Sequence, residues 1–404
     1  MHRRDWELYQ AFTRPPVIKL RKLLFIVVLA PILGGLGWWY FGEHPLPGYG
    51  PAYREYAYIT NGKSNTVSVI DLRSFEPAKT IKVGNEPTGL AANTKKNEVY
   101  VVNTASSNIS VINAEQNAVV ATIGVHGKPY FIDVSSDGKR GYVANSASNN
   151  VSVIDLDKRI AIGILRVGLS PGLARVSPDG ATVVVSNRGD NTVSLIDTAQ
   201  LKVRSIVPIC QQPEDIAILP DNSKAFVACT GSAQVASIDL KSDKLLALLD
   251  VGKTPVHLAL KPDGGELMVS NFDSDSISII ETTTNEVSGS YLIGTNPAHG
   301  LVSDDNSRLY VSNFGSSTIS VYDIDMGKMI ASLPVGSHPD GLALSQSQNY
   351  LLILDSASGD VTVIQKRKAR KLEPTEYSLL TMIPVGTQPT NIVVKSFLLV
   401  KPVQ

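Results

Sequence analysis

The stretch YVANSASNNVSVID, Tyr142–Asp155, occurs eight times along the chain with small variations. The copies begin at residues 58, 100, 142, 184, 226, 268, 310 and 352, so each lies 42 residues after the one before. A fixed period of roughly 40–45 residues is typical of β-propellers, in which one repeat supplies the four strands of a blade. The repeat therefore predicts a single all-β ring and overrides the two or three domains that a length of 404 residues would suggest.

A second signature, Val-Gly-x-x-Pro, recurs between the copies. Its proline can open a strand, because the first residue of a strand loses no ladder hydrogen bond. We name the strands of a blade A to D from the channel outward, so that strand A starts at the proline, as in Pro87–Ala92. Since the chain starts at a B strand and finishes at an A strand, residues 389–394 should pair with residues 58–83. The prediction is an eight-bladed β-propeller of four-stranded antiparallel blades, closed so that no sheet edge is left open.

These motifs also carry a resemblance. Tyr-Val-x-Asn followed by Val-Ser-Val-Ile-Asp resembles the YVTN-repeat family of bacterial β-propellers, in the superfamily of surface-layer and nitrite-reductase propellers, over roughly residues 56–395. Six of the eight repeats end strand B with an asparagine, and this repeated use indicates a role in the blade architecture. We expect it to hydrogen-bond backbone groups of the B–C loop, as asparagine does in Asx turns.

The N-terminal part predicts a membrane anchor. Residues 1–22 are basic and are expected in the cytoplasm, and Leu23–Phe41 is a run of 19 residues without a charge. About 20 apolar residues span a bilayer as a helix, and basic residues favour the cytoplasmic side. Residues 42–55 read as a linker and residues 396–404 as a tail. A cleaved signal peptide is the alternative. Either way the propeller is expected to be exported, to the periplasm or the cell exterior.

Composition excludes several function classes. The 37 basic and 37 acidic residues cancel and no basic stripe is present, so we expect no nucleic-acid partner. Two cysteines cannot form a disulfide scaffold, and without Cys-x-x-Cys-His there is no covalent c-type haem. The motifs of serine hydrolases, phosphate-binding loops and zinc proteases are also missing. We therefore predict no catalytic residues, no dedicated metal site and a monomeric propeller.

The two cysteines depart from the repeat in the same blade. Cys210 stands at the glycine of Val-Gly-x-x-Pro, and Cys229 stands at the asparagine that ends strand B. Antiparallel pairing of strands A and B would bring them together, and an exported compartment permits a disulfide. The alternative is two buried free thiols.

The position two residues after each proline should ring the mouth of the central channel. Asp215, His257 and His299 occupy it in three consecutive repeats. Two histidines and a carboxylate can hold a metal, and imidazole can act as an acid or base near pH 7. The alternative is a structural role, in which these side chains satisfy loop backbone groups. Two residues further on, Asp133 and Arg175 are expected to pair inside the channel and are weaker ligand candidates.

The one insertion in the array lies between strands C and D of the last repeat. It carries a basic loop, with Lys366, Arg367, Lys368, Arg370 and Lys371. The linker enters strand B on the same face, so the loop is expected to point back to anionic lipid headgroups. A solvated loop is the alternative.

Two functions follow from these observations. The first is a membrane-anchored binding or scaffold module that presents its outward face to a protein or glycan partner of the cell envelope. The second is a propeller enzyme or cofactor carrier, redox or lactonase-like. The resemblance to nitrite reductase, amine dehydrogenase and lactonase propellers implies this second function, with a haem or divalent metal held at the channel mouth.

Overall fold

The computed structural model describes residues 50–367 and 375–399. None of the helical turns in these two ranges has the length and hydrophobicity needed to cross a membrane. The predicted helix over residues 23–41 lies outside the described part of the chain, as do the basic segment 1–22, most of the linker and the end of the tail.

The described ranges contain 32 strands. The chain enters through β1 (Tyr53–Asn61), β2 (Thr66–Asp71) and β3 (Glu76–Lys82). Blades 2 to 4 follow as β4 (Pro87–Ala92), β5 (Glu98–Asn103), β6 (Asn108–Asn113), β7 (Ala118–Gly124); β8 (Pro129–Val134), β9 (Arg140–Asn145), β10 (Asn150–Asp155), β11 (Ile160–Arg166); β12 (Pro171–Val176), β13 (Thr182–Asn187), β14 (Thr192–Asp197) and β15 (Lys202–Pro208).

The second half of the ring repeats this order. Blades 5 to 8 are β16 (Pro213–Ile218), β17 (Lys224–Cys229), β18 (Gln234–Asp239), β19 (Lys244–Asp250); β20 (Pro255–Leu260), β21 (Glu266–Asn271), β22 (Ser276–Glu281), β23 (Glu286–Leu292); β24 (Pro297–Val302), β25 (Arg308–Asn313), β26 (Thr318–Asp323), β27 (Lys328–Pro334); β28 (Pro339–Leu344), β29 (Tyr350–Asp355), β30 (Asp360–Arg367) and β31 (Glu376–Pro384). The last strand is β32 (Pro389–Leu398).

The sheets confirm the eight-bladed antiparallel propeller. Each sheet has four strands, and blade 1 has the order β3-β2-β1-β32. The last strand therefore pairs with the first, with Tyr58 opposite Val393. This closure pairs the last strand of the described chain with the first and gives blade 1 the same four strands as the other blades.

Two faces of the ring follow from this topology. The D–A turns and the B–C loops lie on one face, which we name the mouth face. The A–B turns, the C–D turns and the start of β1 lie on the other, which we name the entry face. Lys366 and Arg367 end β30 at the entry face, while Lys368, Arg370 and Lys371 of the basic loop lie outside the described residues.

The core lies between blades and is built from the repeat tyrosines and the apolar residues around them. Tyr58, Tyr100, Tyr142 and Tyr310 are all at most 1% exposed. The hydroxyl of Tyr58 donates to Asn117 Oδ1 of the next blade at 2.5 Å, and that of Tyr100 donates to Glu98 Oε2 at 2.7 Å. A buried tyrosine thus contributes a large apolar area, and in Tyr58 and Tyr100 its hydroxyl also keeps a hydrogen-bond partner.

The asparagine that ends strand B bonds to different groups than expected. Its Nδ2 donates mainly to side-chain oxygens of strand C, as Asn187 does to Thr192 Oγ1 and Ser194 Oγ, both at 2.9 Å. The expectation of backbone partners was wrong for this amide because strand C presents hydroxyls five and seven residues later. The preceding glycine packs on the same side chain, since a Cβ on Gly168 would lie 2.6 Å from Asn187 Nδ2.

Blade 5 replaces this glycine–asparagine contact with a covalent bond. Cys210 and Cys229 form a disulfide with their Cα atoms 5.7 Å apart. Both residues are buried, at 5% and 0% exposure. The bridge ties the D–A turn to the end of β17, where the other blades hold the turn by packing and by hydrogen bonds such as Gly386 N–H to Asn61 Oδ1 at 3.0 Å.

A backbone feature of the D–A turn was not visible in the sequence. The residue before each of the eight strand-A prolines has a left-handed φ between 47° and 54°, although none is a glycine; they are Glu86, Lys128, Ser170, Gln212, Thr254, Asn296, His338 and Gln388. Such a conformation is costly for most L-residues. The turn is therefore imposed by the packing of the blades on either side and not by local preference.

Candidate functional site

The eight A strands surround a channel, and a cavity of about 560 Å³ opens at its mouth-face end. Ligand pockets in proteins commonly measure about 300–1,000 Å³, so this cavity could hold a small molecule or one side chain of a partner. Most of its lining comes from the first residues of the A strands, directly after the prolines.

The structure brings the three candidates from blades 5 to 7 together at this mouth. His257 Nε2 lies 3.7 Å from Asp215 Oδ2. The rings of His257 and His299 are in contact, with centroids 4.2 Å apart and planes inclined by 42°. The side chains at the position two residues after the proline are therefore in contact from blade 5 to blade 6 and from blade 6 to blade 7.

The strongest contact of the cluster involves a residue that the sequence reasoning missed. His299 Nδ1 lies 2.8 Å from Asp340 Oδ1, a hydrogen bond between blades 7 and 8. Asp340 directly follows its proline, one residue before the position that was compared across the repeats. An acidic residue at that position in the repeat after His299 is the signal that could have identified it.

Asp133 and Arg175 do not form the ion pair that was expected. Among the described residues, Arg175 Nη2 instead lies 3.7 Å from Asp215 Oδ1, and its guanidinium is 4.6 Å from the centre of the Phe131 ring. The Asp133 carboxylate accepts from the backbone N–H of Val176 at 2.8 Å. Equivalent residues of neighbouring blades are offset along the channel, so the carboxylate meets backbone where a side chain was expected.

Part of the cluster also satisfies backbone groups of the inner strands. Strand A has no hydrogen-bonding neighbour on its channel side. The N–H of Leu258 donates to Asp215 Oδ2 at 3.0 Å, and the N–H of Gly300 donates to His257 Nδ1 at 3.3 Å. Asp215 and His257 therefore have the structural role given above as the alternative, whether or not they also bind a ligand. Because His257 Nδ1 accepts a hydrogen bond, the proton of neutral His257 is on Nε2.

A second ion pair borders the mouth. Arg188, in the B–C loop of blade 4, pairs with Glu214, the residue before Asp215. The guanidinium also lies 5.4 Å from the centre of the Tyr130 ring. Neither was identified from the sequence: Arg188 lies in a B–C loop, whose composition varies, and Glu214 directly follows its proline, one residue before the position that was compared across the repeats.

The two histidines differ in charge. Burial and the neighbouring His299 lower the pKa of His257 to about 3, so this ring is neutral at pH 7. Burial also lowers the pKa of His299, but the hydrogen bond and negative charge of Asp340 outweigh it and leave this pKa above its usual value. Burial raises the pKa of Asp340, but the hydrogen bond and positive charge of His299 lower it by more, so the pKa of Asp340 lies below its usual value. The cluster thus pairs an uncharged imidazole with one that favours the cation.

An aromatic row lies on the mouth face next to these residues. Phe314 stacks on His338, with centroids 4.4 Å apart and planes inclined by 17°, and Phe272 contacts Phe314 at 6.0 Å. The row follows blades 6 to 8, the same sector that holds His257, His299 and Asp340. None of these three rings lines the cavity, which instead presents the rings of Tyr130 and Phe131.

No set of three or more His, Cys, Asp and Glu side chains within residues 50–367 and 375–399 could hold a metal ion. A single ligand is nevertheless well oriented. With Nδ1 held by Asp340, the Nε2 of His299 is its remaining ring nitrogen, and histidines that bind metals commonly donate the other ring N–H to a carboxylate. His299 Nε2 could therefore serve as one ligand of a group that brings its other ligands with it.

Comparisons with known proteins agree with this fold. A YNCE-like β-propeller model matches residues 38–174, and a model of lactonase, a seven-bladed β-propeller, matches residues 282–386. This chain closes with eight blades because it has eight repeats. The chain matches no curated protein.

Several solved structures are similar. Hydrazine synthase of Kuenenia stuttgartiensis is 21% identical over 69% of this chain and 95% of that chain, with a TM-score of 0.57. Dihydro-haem d1 dehydrogenase NirN in complex with DHE is 14% identical over 84% and 74%, with a TM-score of 0.68. A protein of unknown function from Desulfotomaculum acetoxidans is 15% identical over 84% and 98%, with a TM-score of 0.58. At these identities the likeness concerns the fold alone. The repeats, the eight closed blades and the two partial family matches agree with the resemblance to YVTN-repeat β-propellers.

Proposed function

We propose that this protein is an exported, membrane-anchored binding module that recognises a protein or glycan partner with the mouth of its channel. The tether is the uncharged run Leu23–Phe41 behind a basic N-terminal segment. The Cys210–Cys229 disulfide supports export, because disulfides persist in oxidising compartments.

The direction of the chain supports use of the mouth face. The chain enters the ring at the start of β1, on the entry face, and the cavity opens on the mouth face. A tether on one face leaves the opposite one accessible to partners. The basic residues that end β30 are on the entry face, which is consistent with attraction to anionic lipids there.

The observation that carries the proposal is the row of contacts Asp215–His257–His299–Asp340 across four consecutive blades. The side chains of His299 and Asp340 keep 42% and 37% of their surface exposed, so the charged pair is ordered yet accessible from the channel. Ordered, accessible polar groups beside aromatic rings are what recognition sites use to fix a partner. The bound partner is expected to insert a polar group into the mouth.

A photocrosslinking experiment tests this proposal. A photoreactive residue is introduced at Ala357 or Thr390, which line the cavity, and at Lys202 on an outer strand as a control, in cells that make the full chain. A discrete adduct from the mouth positions, absent from the Lys202 control and lost when His257→Ala and His299→Ala are added, supports a binding module. Equal adducts from all three positions contradict it.

A second function, a haem carrier or redox enzyme, is favoured by one contact. The Asp340 carboxylate holds the His299 ring in the way that carboxylates commonly hold histidine ligands of metals. One of the similar structures is the dihydro-haem d1 dehydrogenase NirN. Haem bound there would supply electron transfer, while Asp340 would hold the ring of His299 in place. Protein extracted natively in detergent tests this through its absorbance spectrum and metal content. A Soret band lost in His299→Ala would favour the carrier, and a colourless, metal-free preparation would favour the binding module.

A further inference from the structure

Blade 8 departs from the rule that governs the end of strand B. In six blades an asparagine stands there, and its Nδ2–H is donated to oxygens of strand C, as in Asn145 to Asn150 Oδ1 at 2.8 Å and Ser152 Oγ at 2.9 Å. In blade 8 the same two positions are Asp355 and Asp360, which replace the N–H donor and its acceptor with two carboxyl groups.

The two carboxyl groups belong to directly opposite residues of β29 and β30, of which Asp355 is buried and Asp360 is half-buried. Asp355 has 0% exposure, and its Oδ2 accepts from the hydroxyl of Thr362 at 2.6 Å and from the Thr362 N–H at 3.1 Å. Its Oδ1 and the Oδ1 of Asp360 have no hydrogen-bond partner within the described residues. The site is also tight, because a Cβ on Gly336 would lie 2.5 Å from the Asp355 carboxyl carbon.

Two ionised carboxylates at such a place repel each other and lack solvation, and a single proton between them removes both penalties. The proton would take the place of the asparagine N–H of the other blades. We propose that Asp355 and Asp360 share one proton at neutral pH and form a pH-sensitive latch between the B–C loop of blade 8 and the D–A turn that carries Asp340.

Within the described residues, no positive charge beside the pair could replace the proton. Burial and the neighbouring Asp360 raise the pKa of Asp355, the hydrogen bonds from Thr362 lower it, and the net result is a pKa of about 8. Of the other titratable groups on the elements packed against the pair, Asp340 bonds to His299, His338 stacks on Phe314, and the Lys395 ammonium donates to Asn93 O. The remaining ones lie at the other ends of their strands, toward the entry face: Tyr350, Lys366, Arg367, Glu376 and Tyr377.

The latch is coupled to the mouth by the contacts above it. The N–H of Ser356 donates to His338 O at 3.0 Å, and the N–H of Ala357 donates to Ser337 O at 3.1 Å. Ser356 and Ala357 line the cavity, and the turn they hold leads into Asp340. Loss of the shared proton would place two buried charges under these contacts and loosen the turn. The inference does not depend on what the mouth binds.

The direction of the pH effect follows from the raised pKa. A carboxyl whose pKa is higher in the folded state stabilises the fold fully below its unfolded pKa, about 4 for aspartate. This contribution is lost as the pH rises through the folded value near 8. The latch is therefore closed in acid and at neutrality and opens under alkaline conditions.

Thermal unfolding of the full chain in detergent between pH 6 and pH 9 tests the latch. Asp355→Asn restores the asparagine that six other blades have at this position. Asp360→Asn supplies an amide N–H to the pair from strand C instead of strand B. Relative to both variants, the wild type should lose at least about 2 °C in Tm across this range. Asp304→Asn, an exposed change in the A–B turn, should keep the wild-type profile.

Infrared spectroscopy supplies a readout that stability alone does not. The wild type at pH 7 should show the C=O band of a protonated carboxyl group, and both Asp355→Asn and Asp360→Asn should lack it. A wild type whose Tm follows the two variants at every pH, or whose spectrum has no such band, overturns the proposal.

Discussion

His299 of blade 7 and Asp340 of blade 8 are joined by a hydrogen bond of 2.8 Å at the channel mouth, with 42% and 37% of their side-chain surface exposed. The contact combines two properties that a binding site needs, a fixed geometry and access from the channel. It also sets the two histidines apart, because His257 has no comparable partner: its closest carboxylate oxygen is 3.7 Å away.

The first prediction concerns the charge of this pair. Asp340→Asn removes the negative charge that keeps the pKa of His299 above its usual value, so that pKa should fall. NMR titration of the His299 imidazole measures the change. Asp325→Asn, on an exposed C–D turn, serves as the control and should leave the titration unaltered. An unchanged His299 pKa in Asp340→Asn would show that the hydrogen bond is not formed in solution.

The same pair predicts a small pH effect on stability. The stabilisation from a raised histidine pKa is complete below the unfolded value of about 6.5 and is lost as the pH rises through the folded value. Because both side chains are partly exposed, the contribution should be at most about 1 kcal/mol. Thermal unfolding from pH 5 to pH 8 should show a steeper decline in the wild type than in His299→Ala, which keeps only the decline caused by Asp355 and Asp360.

The second prediction concerns the disulfide. Replacing both cysteines by alanine should destabilise the protein by about 3 kcal/mol, because the bridge restricts the unfolded chain between Cys210 and Cys229. Cys210→Gly with Cys229→Asn restores the contact of the other blades and should recover part of the loss. Thermal unfolding with and without reductant measures the stability of both double variants. If Cys210→Gly with Cys229→Asn is no more stable than the double alanine variant, the glycine–asparagine contact does not substitute for the disulfide.

The third prediction concerns the glycine that packs on the strand-B asparagine. Gly168→Ala places a Cβ 2.6 Å from Asn187 Nδ2 and should cost about 1–3 kcal/mol, because the side chain has little room to move. Gly124→Ala is the matched control, since nothing lies within 4 Å of its added Cβ. Denaturant unfolding should separate the two variants clearly. If both behave alike, the contact has no structural weight.

The fourth prediction concerns the outer surface of blade 3. The outer strand β11 exposes Ile160, Ile162 and Ile164, at 49%, 39% and 54%. Apolar edge strands promote association between copies, and a charge on the strand opposes it. Ile162→Lys should reduce aggregation during heating, measured by light scattering, with little change in Tm. The control Thr122→Lys, on an outer strand that lacks such a stripe, should leave aggregation as it is in the wild type.

The sequence predicted the fold well because a repeat of constant length encodes the same four strands and the same packing eight times. The prolines marked the start of every A strand, as in Pro87–Ala92 and Pro339–Leu344. Because the array starts at a B strand and ends at an A strand, the sequence also predicted that the last strand completes the first blade. Asp215, His257 and His299 were identified as neighbours for the same reason, since equivalent positions of adjacent blades must face the same channel.

The amino-acid sequence by itself thus determined the eight-bladed ring, its closure and the channel-facing position of the candidate residues. Only the tertiary structure decided which side chains meet across the blades. His299 contacts Asp340, 41 residues away, while Asp215 and His257 accept from backbone N–H groups 43 residues away. A 42-residue repeat fixes equivalent positions but not these offsets of one residue. The offsets depend on the tilt of the strands and on the direction of each side chain, and packing around the closed ring sets both.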